Sequence, residues 1–223
     1  MVYAINWLLS TLSSVLRLGA GLRAHAAGGQ PAERLIIYEF EGCPYCRKVR
    51  EAVTALDLEV EIRPCPKGGK RFRPELIERG GRAQFPYLID PNAEEEMYES
   101  NAIIRHLFSR YGSGAPPLLL RLGPLSNMLS SLAQLPRMGA GTYAATGLAG
   151  AAPAAAPLPL LVAAEGSPSA RLVRERLSVL EQAYVLQPCG VGSRHASTAG
   201  RTALQLAGEA RLLGAAQILR RLQ

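Results

Sequence analysis

The chain has 223 residues, 48% hydrophobic and 19% charged, a balance that excludes wholesale disorder and allows one large core or two smaller ones. Its net charge of +7 is unevenly spread: residues 33–112 are near neutral, with 13 Lys+Arg and 14 Asp+Glu, and the excess lies on either side. No basic run interleaved with aromatics occurs, which argues against a nucleic-acid partner, and no apolar run of about 18 residues occurs, so no spanning helix is predicted.

Residues 1–32 are rich in Ser, Leu and Ala and hold no acid, the composition of a transit peptide. Leu12-Ser13-Ser14 and Gly19-Ala20-Gly21 return, however, as Leu129-Ser130-Ser131 and Gly139-Ala140-Gly141, and a targeting signal has no reason to recur mid-chain. The prediction is a lead-in helix before each of two repeats, packed on the repeat it precedes. Ile5, Leu8, Leu9, Leu12, Val15 and Leu16 would form its buried apolar face.

LIIYEF (35–40) then predicts a buried strand, and Pro44 opens a helix running to about Leu56. EVEIRP (59–64) alternates as a second strand, and Pro74 marks a short helix ended near Gly80-Gly81. FPYLID (85–90) and EEEMYE (94–99) flank an Asp90-Pro91-Asn92 turn as a hairpin, and a last helix spans 100–110. The order β-α-β-α-β-β-α predicts an α/β fold, a mixed sheet with helices on both faces. Residues 113–157 read as linker and second lead-in segment.

EGCPYCRKVRE (41–51) returns as EGSPSARLVRE (165–175), with both cysteines replaced. The predicted organisation is therefore two tandem copies, 33–112 and a degenerate 158–223, whose strand LPLLVAA and following helix are clear. Pro168, Arg171, Arg174 and Glu175 persist in the second copy because starting, packing and pairing a helix need no sulfur.

The chemistry lies in Cys-Pro-Tyr-Cys at a strand-to-helix junction. Cys43 at the helix N-terminus meets unpaired amides and the positive end of the dipole, which stabilise a thiolate. It is the expected nucleophile, acidic and accessible, and Cys46 one turn on can attack a mixed disulfide formed on it. Half a zinc site is the alternative for such a pair, but Cys65, Cys189, His25, His106 and His195 offer no second paired spacing, so no metal is expected. Four cysteines in so long a chain suit a reducing compartment rather than a disulfide scaffold.

EGCPYCRKVREAVTALDLEVEIR, QFPYLIDP and EMYESNAIIRHL, in that order, resemble the glutaredoxin and glutathione S-transferase N-terminal domain of the thioredoxin-like superfamily. The resemblance implies glutathione as cofactor, bound through Pro44, Tyr45, Phe85, Pro86, Glu99 and Ser100. Phe85 would precede a cis-proline, and Glu99-Ser100 would hold the γ-glutamyl end. It implies a thiol–disulfide oxidoreductase acting through Cys43 and Cys46 on a disulfide or glutathionylated protein. Glutathione conjugation of the transferase kind, or a non-catalytic glutathione-binding scaffold, stand as alternatives. Phe40 occupies the place where glutaredoxins usually carry a lysine, and Gly214-Ala215 falls where the second copy would have Glu99-Ser100. The tandem arrangement resembles plant and algal plastid proteins, which implies a chloroplast location, with the cytoplasm as alternative.

Overall fold

The computed structural model describes residues 2–25, 27–146, 157–195, 202–206 and 208–222. Helix α1 (Val2–Val15) is followed by β1 (Leu35–Glu39), α2 (Pro44–Leu56), β2 (Val60–Pro64), α3 (Phe72–Gly80), β3 (Tyr87–Asp90), β4 (Glu95–Tyr98) and α4 (Ser100–Tyr111). Each predicted element of the first half is present within a residue or two. Pro44 takes the first turn of α2, where its missing N–H costs nothing, and Gly81 closes α3 in the left-handed conformation at φ 76°.

Two short helices, α5 (Leu118–Arg121) and α6 (Pro124–Leu132), and a 3₁₀ turn at Leu135–Arg137 fill the region read as linker. The second half runs β5 (Leu160–Val162), α7 (Pro168–Val179), β6 (Tyr184–Gln187), β7 (Ala203–Gln205), β8 (Leu212–Leu213) and α8 (Ala215–Arg221). Among the described residues no helix lies between β6 and β7, where α3 stands in the first half.

All eight strands form one sheet in the order β4-β3-β1-β2-β6-β5-β7-β8. β1 with β2 and β5 with β6 are parallel, as a β-α-β crossover requires, and every other pair is antiparallel. The halves join at β2 and β6, with Val60 opposite Leu186 and Ile62 opposite Tyr184. One core runs under both halves on the α2/α7 face, from Leu35, Val53, Ile103 and Leu107 to Leu161, Val173, Leu177 and Ile218. Each such side chain contributes about 1.5–3 kcal/mol by leaving water. On the opposite face α3 buries Phe72 and Leu76 against Tyr38 and Tyr87.

The lead-in segments depart from expectation. α1 packs on α7 of the far half, and α6 packs on α2. The buried side of α1 is Ser10 and Ser13, and that of α6 is Ser126 and Ser130, whereas Leu8, Leu12 and Val15 point to solvent. The reason is steric and polar: small serines let the helices approach closely, and their hydroxyls reach the first turn of the partner helix. Ser10 Oγ donates to the Pro168 carbonyl at 3.0 Å, and Ser130 Oγ to that of Pro44 at 2.7 Å. The loops behind them cross in the same way, with Ala24 N–H donating to Val191 O (2.9 Å) and Lys67 N–H to Thr142 O (2.7 Å).

Beneath these helices lies a buried ion network. Arg50 Nε donates to Glu165 at 2.8 Å, and Arg174 Nε to Glu41 at 2.9 Å. Arg17 reaches Glu51 (2.8 Å) and Arg137 reaches Glu175 (3.0 Å), while Arg47–Glu51 and Arg171–Glu175 pair along their own helices. Burial opposes ionisation of Glu165, but Arg174, Arg50 and Arg47 hold its carboxyl down to about 2. Arg174 thus pairs across the junction, whereas Arg171 pairs along its own helix with Glu175 and bonds to Gln134.

Candidate active site

Cys43 is the N-cap of α2, in extended backbone (φ −86°, ψ 120°), so its side chain folds back over the first turn. The Cys46 N–H donates to Cys43 Sγ at 3.3 Å. Burial works against the Cys43 thiolate, yet hydrogen bonds from the Cys46 thiol and the Cys46 and Tyr45 amides outweigh it and hold the pKa below the usual thiol range. Cys46 has the opposite character: burial, the bond to Cys43 and the nearby Cys43 and Glu39 charges push its thiol well up. The two thiols thus differ in acidity, Cys43 the more acidic and Cys46 the less.

Accessibility is the correction. Cys43 is only 4% exposed and Cys46 is fully buried. The loop at 139–143 crosses beside Gly42, fixed by the Lys67–Thr142 bond and a second from Ala144 N–H to Lys67 O at 2.9 Å. A Cβ on Gly42, next to Cys43, would meet Thr142 Oγ1 at 2.0 Å, so glycine is what lets the loop lie so close. This contact comes from a distant segment and has no local signal in the sequence.

Tyr45, Phe85, Glu99 and Ser100 line one cavity of about 380 Å³, together with Gln84 and Asn127. Pro44, Pro86, Cys43 and Cys46 are not part of its lining. The Phe85–Pro86 peptide is cis. Phe40 packs edge-on against Phe85 at 5.7 Å between ring centroids, and the Arg73 guanidinium lies 4.7 Å from the Phe85 ring centre. That guanidinium also donates to the Pro66 and Cys65 carbonyls at 3.1 and 3.2 Å. Among the lining residues, sequence reasoning missed Gln84 and Asn127, and Asn127 belongs to no local motif.

Glu99 precedes α4 with φ 71° and ψ 107°, a conformation that favours glycine, and its carboxylate accepts from Gln84 Nε2 at 2.6 Å. Gly214 holds the same place before α8, at φ 82° and ψ 137°. Ser167 caps α7 as Cys43 caps α2, its Oγ accepting the Ala170 N–H at 3.3 Å. The cap survives in the second half, and the acidic side chain and sulfurs do not.

Cys65 is buried with its thiol pushed well up by burial, which suits a packing role. His106 pairs with Asp90 at 2.7 Å. Among the described residues no group of three or more His, Cys, Asp or Glu could hold a metal ion, and no helix is long and apolar enough to cross a membrane.

Residues 37–117 match the family model of the glutathione S-transferase N-terminal domain. No curated protein and no solved structure matches the chain. With the mixed sheet and the cis-proline hairpin already in view, the first half of the chain carries a glutathione S-transferase N-terminal domain of thioredoxin-like fold.

Proposed function

We propose that this protein is a glutathione-linked thiol–disulfide oxidoreductase whose nucleophile is Cys43. The supporting observation is the lowered Cys43 pKa, created by the α2 amides and the Cys46 thiol. The Cys43 thiolate attacks the disulfide of a glutathionylated or disulfide substrate; that S–S bond breaks, and the departing sulfur leaves as a thiol after taking a proton. A glutathione thiolate then displaces the adduct, or Cys46, once deprotonated, closes a Cys43–Cys46 disulfide that glutathione later reduces. The substrate gains two electrons, and two glutathione molecules are oxidised to their disulfide.

The cavity beside α2 suits glutathione. Glu99 offers a carboxylate for the γ-glutamyl ammonium, and Ser100 with the α4 amides offers donors for the adjacent carboxylate. Tyr45 lines the same cavity and would engage the rest of the tripeptide.

The second half is proposed as a degenerate copy of the first. Supporting this are the shared EGxPxxRxVRE phrase, the parallel β-α-β unit, the reversed strand order about the junction, and Gly214 in the place of Glu99. A plastid location is proposed on the resemblance alone; a tagged full-length product found in the cytosol would refute it.

The burial of Cys43 favours a second reading, glutathione binding without turnover. The two separate in an assay of glutathione-dependent reduction of a small mixed disulfide. Turnover lost in Cys43→Ser and kept in Cys46→Ser supports the oxidoreductase. Absence of turnover by the intact chain, with glutathione still bound, supports the second.

A further inference from the structure

The helices that cross between the halves are inverted relative to ordinary surface helices. On α1 the outward stripe is Leu8, Leu12 and Val15, 61, 48 and 62% exposed, and on α6 it is Leu125, Met128 and Leu132, 45, 52 and 41% exposed. Their inward stripes are serines, of which Ser10 and Ser130 hydrogen-bond to the helices beneath. Helices in water bury their large apolar residues, whereas helices in lipid pack through small and hydroxyl side chains and turn the large apolar ones outward.

The two helices are also tied together through their flanking residues. Arg17, just past the end of α1, donates to the Ser126 carbonyl near the start of α6 at 3.2 Å, and Arg137, beyond the end of α6, donates to Asn6 at 2.5 Å. The pair is thus antiparallel, and its two outward apolar stripes together make a platform. At about 21 Å, a 14-residue helix is shorter than the roughly 30 Å of a bilayer core, so it can rest on a membrane but not span it. Trp7 and Tyr3, both partly exposed on α1, are the aromatic types that settle at the headgroup level.

Charge selects the occupant. Residues 1–32 and 113–164 contain no Asp or Glu, so the platform and its flanks carry only cations. Each end of α1 also opens on a largely apolar cavity. One, about 380 Å³, is lined by Leu18, Leu118 and Leu122 with Arg23 and His25; its one acid, Glu51, is buried and paired with Arg17. The other, about 550 Å³, is lined by Val2, Tyr3 and Leu219 with Arg176 and Arg220. Apolar space beside a cation matches an acyl chain under an anionic headgroup.

We propose that the α1/α6 platform docks on the surface of a lipid bilayer that carries anionic headgroups. The full chain would lie with both helices in the plane of the interface, held by the apolar stripe and oriented by Arg23, Arg121 and Arg220.

The test is sedimentation of the full chain with vesicles of phosphatidylcholine alone and of phosphatidylcholine with about one third phosphatidylglycerol, the anionic fraction chosen to raise the surface potential. Binding to the mixed vesicles is expected, weaker on the order of tenfold to the neutral ones. Leu12→Glu/Met128→Glu is expected to lower binding on the order of 100-fold, with an unchanged circular dichroism spectrum because both positions face solvent. Arg23→Glu/Arg220→Glu, which leaves the apolar stripe intact, is expected to abolish the preference for the anionic vesicles. No binding to either vesicle, equal binding by Leu12→Glu/Met128→Glu, or a dimer in sedimentation velocity that this variant dissociates while vesicles are ignored would each overturn the proposal, the last in favour of a second copy as occupant.

Discussion

Arg174 and Glu41 are far apart in the chain and only 1% exposed each, yet their side chains meet at 2.9 Å, while Arg50 and Glu165 make the reciprocal contact at 2.8 Å. The phrase shared by the two halves is thus a reciprocal clasp. Each Glu-Gly turn supplies the carboxylate that the arginine of the other half needs.

Removing one member of a buried pair strands the other charge away from water. Arg174→Met is expected to destabilise the fold by about 3–5 kcal/mol in urea unfolding, and adding Glu41→Gln should recover part of that loss. A single variant costing under about 1 kcal/mol would show that the clasp carries no stability.

The network also sets a pH dependence. Burial, with Glu41 and Glu165 nearby, holds the Glu39 carboxyl up to about 7 despite its contact with Arg50. A raised acid binds a proton in the folded state that the unfolded chain lacks, so this group makes stability fall as pH rises from about 4.3 to 7. Glu165 has the opposite sign: its contribution is present above about 4.3 and is lost as pH falls toward about 2. Glu39→Gln is expected to flatten the decline on the neutral side, a change on the order of 2 kcal/mol between pH 4.5 and 7.5. Thermal unfolding across that range checks it, and an unchanged slope in the variant would rule it out.

Glu99 holds a glycine-like conformation that the second half gives to Gly214. Glu99→Gly should relieve the backbone and stabilise the protein by roughly 1 kcal/mol while weakening glutathione binding. Calorimetry measures both quantities. Unchanged affinity would remove Glu99 from the proposed site.

Gly42→Ala would drive a methyl group into Thr142 Oγ1 and lift the loop that lies against this glycine, next to Cys43. The expected cost is about 1–3 kcal/mol, accompanied by faster alkylation of Cys43 at neutral pH, with Thr142→Ala restoring both in part. Equal alkylation rates in parent and variant would show that the loop is not what shields the thiol.

The sequence by itself determined the elements of the first half and the chemistry at the start of α2. Strand alternation, a proline at N1 and a glycine at the helix end act over a few residues, so LIIYE, EVEIRP and the Cys43 cap are legible without neighbours. The second half was fainter because its strands are short, only Ala203–Gln205 and Leu212–Leu213 after β6.

Only the tertiary structure decided which segments meet. An apolar stripe on α1 reports a period, not the direction it faces, and the serine side won because it fits closely over α7 and satisfies the Pro168 carbonyl. An arginine reads alike in sequence whether it pairs along its own helix or across a junction; burial and the approach of Glu41 chose the junction for Arg174. The loop against Gly42 and the arrival of Asn127 at the cavity likewise depend on contacts between residues distant in the chain, and no local pattern encodes a distance that folding alone closes.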